Sequence, residues 1–245
     1  MVIAPLPSKP ESIATSPSNA VLPNISWQTY QAMLADMGDH RIATSPSNAV
    51  LPNISWQTYQ AMLADMGDHR SARLNYDRGV LEIRLPSDLH EAINRLLARI
   101  VGVLAEELDL PLKEFGSVTL NRQDINKGAE PDSSFYIQNS DRIQGTKIDI
   151  SVDPPPDLVL EIDITNSSTR SFAIYQQLGI PEIWRYTNGY VKIYQLQNGE
   201  YQECEFSSTF KMISGSVLDH FLQMLDTEDS TRIVRAVRKW LKERS

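Results

Sequence analysis

Two carboxylates in an apolar run, Glu161 and Asp163 of LVLEIDIT, are the most chemically suggestive pair in this chain. If the run is a strand, alternation puts Leu158, Leu160, Ile162 and Ile164 on one face and Val159, Glu161 and Asp163 on the other. The two acids then project the same way, roughly 7 Å apart. Upstream, EPDSSFYI sets Asp132 just after Pro131 at an expected strand start, 29 residues before Glu161. Should the two strands be neighbours, Asp132, Glu161 and Asp163 converge. Three unpaired carboxylates repel one another and raise their own pKa values. A divalent, oxygen-seeking cation such as Mg²⁺ or Mn²⁺ relieves that strain. The competing reading is that Glu161 and Asp163 end a strand and simply touch water.

The elements that must position these residues can be read from periodicity. SARLNYDRGVLEIRL gives two short alternating strands around Asp77-Arg78-Gly79, a hairpin. A long helix follows, capped by Ser87 or Asp88, with Leu89, Ile93, Leu96, Leu97, Ile100, Leu104 and Leu108 on one stripe and Pro111 stopping it. Strands are expected near 114–121 and 133–138. DPPPD at 153–157 cannot be helical and leads into LVLEIDIT, which suits a central strand. A helix from about Ser168 to Leu178 ends at Gly179 and Pro181. Strands near 182–187, 190–196 and 200–206 come next, the last two joined by Asn198-Gly199. Helices near 216–226 and 229–243 close the chain. The expected class is α/β, a mixed α+β sheet flanked by helices.

Composition narrows the function. The 245 residues are 41% hydrophobic and 22% charged, which is too apolar for a disordered chain. No apolar run approaches the roughly 20 residues that span a bilayer. The opening MVIAPLPSKPES lacks a basic segment followed by a hydrophobic one, so a cytoplasmic, non-secreted chain is expected. A single cysteine, Cys204, excludes an internal disulfide, and four histidines leave too few ligands for a zinc finger. The eleven glycines never stand closer than ten residues apart, so there is no Gly-rich phosphate loop, and GxSxG is absent. Net charge is −8, but six basic residues and one acid lie beyond Ser230. A polyanion would therefore meet a local basic face rather than the whole surface.

The N-terminal region is duplicated. Residues 13–41, IATSPSNAVLPNISWQTYQAMLADMGDHR, recur without change at 42–70. Two copies are too few for a solenoid. Complete identity points to a recent copying event or an error in the gene sequence, with a functional tandem module as the alternative. Each copy carries a short amphipathic helix, from Ser26 to Gly38 and from Ser55 to Gly67. If one groove serves both, the later copy wins, because docking the earlier one lengthens a loop about sevenfold and costs roughly 1.5–2 kcal/mol. Residues 1–41 are thus expected to be a loose extension and 42–245 the folded domain. The alternative is self-association through Trp27, Tyr30, Met33 and Leu34, in which case deleting 13–41 shifts the protein toward monomer.

The stretch EPDSSFYI … PPDLVLEIDITNSS … IYQQLGIPEIWRY resembles the Uma family of endonuclease-like proteins, in the restriction-endonuclease-like PD-(D/E)XK superfamily. Similarity runs from about Leu51 to Leu225 and takes in the SWQTY helix entry and His90. The resemblance implies a restriction-endonuclease-like core with a divalent metal, Mg²⁺ or Mn²⁺, on Asp132 and Glu161 at the sheet edge. It further implies hydrolysis of a DNA phosphodiester by metal-activated water. The chain departs from the pattern in one respect. Asp163 stands where the superfamily places a lysine, and similar family members supply a lysine at the position of Ser171, with Arg170 beside it. Arg170 can steady a phosphate, but its guanidinium stays protonated and cannot act as a base. General acid–base help is worth roughly 10²–10⁴ in rate, so its loss is large.

The expected site residues are therefore Asp132, Glu161, Asp163 and Arg170, with the metal on the first two. DNA is the expected partner, and a homodimer is expected by analogy. The rival function is a catalytically degenerate nuclease fold kept for binding or assembly. His90, at the edge of the long helix's stripe, either faces the site or packs in the core, and packing is favoured. Trp184 and Tyr186 are expected in the core with Arg185 on the surface. The C-terminal helix is expected to dock by Ile233, Val237, Trp240 and Leu241, leaving a basic outer face for phosphates.

Overall fold

The computed structural model describes residues 25–38, 40, 42–45, 48–67, 72–164 and 169–244. The first repeat copy contributes α1 (Trp27–Met37), and the second β1 (Ala43–Ser45), β2 (Asn48–Leu51) and α2 (Trp56–Met66). The hairpin β3 (Arg73–Asp77) and β4 (Val80–Arg84) leads to the long helix α3 (Asp88–Glu107). Short strands β5 (Lys113–Phe115), β6 (Leu120–Arg122), β7 (Lys127–Ala129) and β8 (Ser133–Tyr136) follow. Then come β9 (Leu158–Asp163), α4 (Thr169–Leu178), β10 (Glu182–Thr187), β11 (Tyr190–Gln197) and β12 (Glu200–Cys204). Helices α5 (Gly215–Gln223) and α6 (Ser230–Lys242) end the described chain.

The strands form two six-stranded sheets rather than one. The first, ordered β1-β2-β4-β3-β7-β6, is antiparallel throughout. The second, ordered β12-β11-β10-β9-β8-β5, is mixed, with β9 and β10 parallel. Three hairpins turn on pairs of residues with positive φ, Arg78-Gly79 (44° and 95°), Asn188-Gly189 (52° and 87°) and Asn198-Gly199 (53° and 84°). Such turns match the twist of the flanking strands. The short strand β7 shows no alternating apolar signal, because its middle residue is Gly128.

Strand β9 is central and its alternation is as expected. Leu158, Leu160 and Ile162 pack into the core made with α3, α5 and α6. Val159 faces the other way, into a cluster with Ile174, Tyr175 and Leu178 of α4. Ser87 caps α3 by accepting from the His90 N–H at 3.2 Å. Helix α6 docks through Ile233, Val237 and Leu241, and Arg238 bridges to Glu106 and Glu107 of α3, so part of its basic face is already neutralised. Among the described residues, no helix is long and apolar enough to cross a membrane.

Helix α2 takes the seat on the first sheet. Tyr59 stacks on Tyr76, ring centroids 4.8 Å apart, and its hydroxyl donates to Asn121 Oδ1 at 2.9 Å. Gly128 makes room for it: a Cβ there would stand 2.4 Å from the Tyr59 hydroxyl oxygen. The expected extension, residues 1–41, falls into two parts. Residues 1–24 lie outside the described residues. Helix α1, by contrast, is packed on α2, burying Thr29, Met33 and Met37. The competition argument assumed a single seat, whereas the outer face of α2 supplies a second.

Candidate active site

Strands β8 and β9 run antiparallel with Ser133 opposite Leu160, which carries Asp132 to the level of Glu161. The Asp132 N–H donates to Leu160 O at 3.1 Å, and Asp132 Oδ2 accepts from the Ile162 N–H at 2.8 Å. Residues opposite one another on an antiparallel pair project to the same face. Asp132 and Glu161 are thus brought together, 2% and 0% exposed. Helix α4 lies over that face. Its Tyr175 hydroxyl donates to Glu161 Oε1, and Ser171, one turn earlier and buried, accepts from Asn75 Nδ2 at 3.0 Å.

Each carboxylate has a cationic or ring-nitrogen neighbour. Arg84, from β4 of the first sheet, places Nη1 2.9 Å from Glu161 Oε2. His90 Nε2 lies 3.0 Å from Asp132 Oδ2. Arg185, on β10 beside β9, approaches Asp163 Oδ2 with Nε at 2.7 Å and Nη2 at 2.6 Å. The expected repulsion among three unpaired acids is therefore met by protein groups. Asn94 fastens the strand start, donating to Asp132 O at 3.2 Å and accepting from Ser133 Oγ at 2.9 Å. Arg170 is exposed in the first turn of α4, and no hydrogen bond or ion pair joins it to the three acids among the described residues.

The electrostatics separate the two central acids. Burial pushes Asp132 upward, but His90, the Arg84 charge and the Ile162 N–H more than offset it and hold the carboxyl below its usual range. Burial dominates at Glu161, and the Asp132 and Asp163 charges add to it. Against the pull of Arg84, its pKa rises to about 7. Arg84 is disfavoured by burial, yet Glu161 and Asp132 hold it more firmly protonated than a free arginine. The Tyr175 hydroxyl is pushed up, first by burial and then by the Glu161 charge.

The donor set suits a hard cation in one respect. Asp132 Oδ1 is buried with no hydrogen-bond partner among the described residues, leaving a carboxylate oxygen that a cation can take. Glu161 differs, since Arg84 and Tyr175 already hold both of its oxygens. No group of three or more His, Cys, Asp or Glu that could hold a metal ion occurs among the described residues. A nearby cleft of about 390 Å³ is lined by Arg73, Thr119, Glu130 and Lys147, and the Arg73 charge interacts with both Asp132 and Glu161.

Sequence reasoning did not find Arg84, Tyr175, Asn75 or Asn94, and it assigned Arg185 to the surface. A weak signal existed for Arg84: Glu82 and Arg84 alternate on β4 and are both buried. Tyr175 follows Ser171 by four residues, one helical turn, and so shares its face. His90, for which packing was favoured, is buried and also touches Asp132.

A protein-family model, Uma2, described as "Putative restriction endonuclease", matches residues 56–228. Among solved structures, a crystal structure described as a "putative nuclease belonging to DUF820" from Anabaena variabilis ATCC 29413 is similar, at 15% identity and a TM-score of 0.49. The alignment covers 68% of this chain and 98% of that one. No curated protein matches the chain significantly.

Proposed function

The chain belongs to the Uma2 family of restriction-endonuclease-like proteins, and from that premise we propose that it is a metal-dependent endonuclease acting on DNA phosphodiesters. The observation that carries this reading is the buried Asp132–Glu161 pair, Asp132 one residue before β8 and Glu161 on the neighbouring β9, close enough for their charges to interact. Asp132 and Glu161 would hold Mg²⁺ or Mn²⁺, which when bound supplies an acidified water and a polarised phosphoryl oxygen. His90 and the Ile162 N–H fix the Asp132 carboxylate, leaving Oδ1 free to bind. In the metal-free protein Glu161, its pKa raised to about 7, can take or lose a proton at neutral pH beside Arg84. Asp163, clamped by Arg185, acts on Glu161 through its charge. Arg73 and Lys147 in the adjacent cleft offer cations to the phosphate backbone, and Arg170 steadies a phosphate from the rim of α4.

One observation favours a second reading, a degenerate fold retained for binding. Ser171, where the family resemblance implies a lysine, is buried and bonded to Asn75, and protein groups already flank all three acids. Incubating supercoiled plasmid with the purified protein and Mn²⁺, beside Asp132→Ala, separates the two. Nicking by the wild type alone supports the endonuclease. Equally intact plasmid in both, under conditions where a related nuclease cuts, supports the degenerate fold.

A further inference from the structure

Helices α1 and α2 have identical sequences and meet through identical faces. The Ser26 N–H donates to Asp65 Oδ2 at 2.8 Å, and the Ser55 N–H donates to Asp36 Oδ2 at 2.8 Å. Ser26 and Ser55 are the same repeat position, as are Asp36 and Asp65, so each copy's aspartate caps the other copy's helix start. Thr29 and Thr58 add further hydrogen bonds to Asp65 and Asp36 respectively. The buried residues correspond as well: Thr29, Met33 and Met37 on α1, Thr58, Met62 and Met66 on α2. Gln28, Thr29 and Ala32 face Gln57, Thr58 and Ala61 across the groove between the helices.

Reciprocal contact, in which residue i meets j and the copy of j meets the copy of i, is the signature of a two-fold interface between identical partners. Here it occurs inside one chain. We propose that the Thr58/Met62/Met66 face of α2 is a self-complementary subunit interface, and that α1 occupies the seat of a second copy of this chain. The outer side of α1 agrees with that assignment. Trp27, Tyr30 and Leu34 are exposed there, whereas their copies Trp56, Tyr59 and Leu63 pack toward the first sheet. The same two-fold that relates the helices would lay a second chain's sheet against that exposed side. The duplication thus holds the chain monomeric, and uncovering α2 produces a dimer. The sign is opposite to self-association through the first copy.

The test is the molar mass of the full chain and of Met33→Asp, by chromatography with light scattering at about 100 µM, enough to hold together a dimer of micromolar affinity. The wild type should be monomeric. Met33→Asp, which ejects α1 and leaves α2 intact, should double in mass. Adding Asp65→Arg should restore the monomer, because that side chain would meet the partner's helix start. A chain lacking residues 13–41 should behave like Met33→Asp, and it decides where the two differ. A folded monomer, growth beyond two copies, or a dimer indifferent to Asp65→Arg would each overturn the proposal. Unfolding of both variants at this concentration would do the same, since pairing through α2 must supply what α1 supplied.

Discussion

Arg84 Nη1 lies 2.9 Å from Glu161 Oε2, and this buried pair ties β4 of one sheet to β9 of the other. Two charges withdrawn from water gain little net stability from each other, but removing one strands its partner. Arg84→Ala should therefore destabilise the protein by about 3–5 kcal/mol in urea denaturation at neutral pH. Arg84→Met combined with Glu161→Gln should lose less than the sum of the single changes, with a coupling energy above about 1 kcal/mol. Strict additivity would mean that the pair is not a coupled unit.

The pH dependence follows from the raised Glu161 pKa, about 7 against an ordinary 4.5. A carboxyl raised by folding contributes stability that is complete below its unfolded pKa and is lost as pH climbs through its folded one. With chelator present, the urea midpoint should fall between about pH 5 and pH 8, and Glu161→Gln should flatten that decline. Asp132, whose pKa is lowered, works in the opposite direction and only in acid, outside this window. An unchanged slope in Glu161→Gln would place the titration elsewhere.

On the proposed reading, position 171 limits the rate. Ser171 is buried one helical turn before Tyr175, whose hydroxyl reaches Glu161, so a long side chain there points along the same face. Ser171→Lys should raise Mn²⁺-dependent plasmid nicking by about 10²-fold or more, at the lower end of acid–base assistance. A folded variant with no gain would show that the missing lysine does not limit the rate.

The repeat offers an internal control. Tyr59 is fully buried on Tyr76, whereas its copy Tyr30 is 40% exposed. Tyr59→Ala should cost about 3–5 kcal/mol, and Tyr30→Ala no more than about 0.5 kcal/mol. Equal losses in thermal or urea unfolding would contradict the seating of α2 on the sheet.

Much of the framework was legible in the sequence because it is local. The period-two alternation of LVLEIDIT, the Asn198-Gly199 turn and the α3 stripe each depend on neighbours a few residues away. The surroundings of the acids were not legible, since Arg84 reaches Glu161 across 77 residues and Asn75 reaches Ser171 across 96. Those contacts exist only once the two sheets are brought together, and no spacing rule encodes them. Strand β7 was hidden by its glycine. The α1–α2 contact was missed for a different reason: an entropy argument that ranks two copies for one seat does not see that the winner creates another.

The proposed endonuclease requires Asp132 and Glu161 to grip one divalent cation between them. Calorimetric titration of Mn²⁺ into the wild type, Asp132→Asn and Glu161→Gln tests it without relying on activity. Single-site binding is predicted for the wild type, weakened at least about tenfold, or roughly 1.4 kcal/mol, in either variant. Absence of heat in the wild type, or equal affinity in all three proteins, would contradict it.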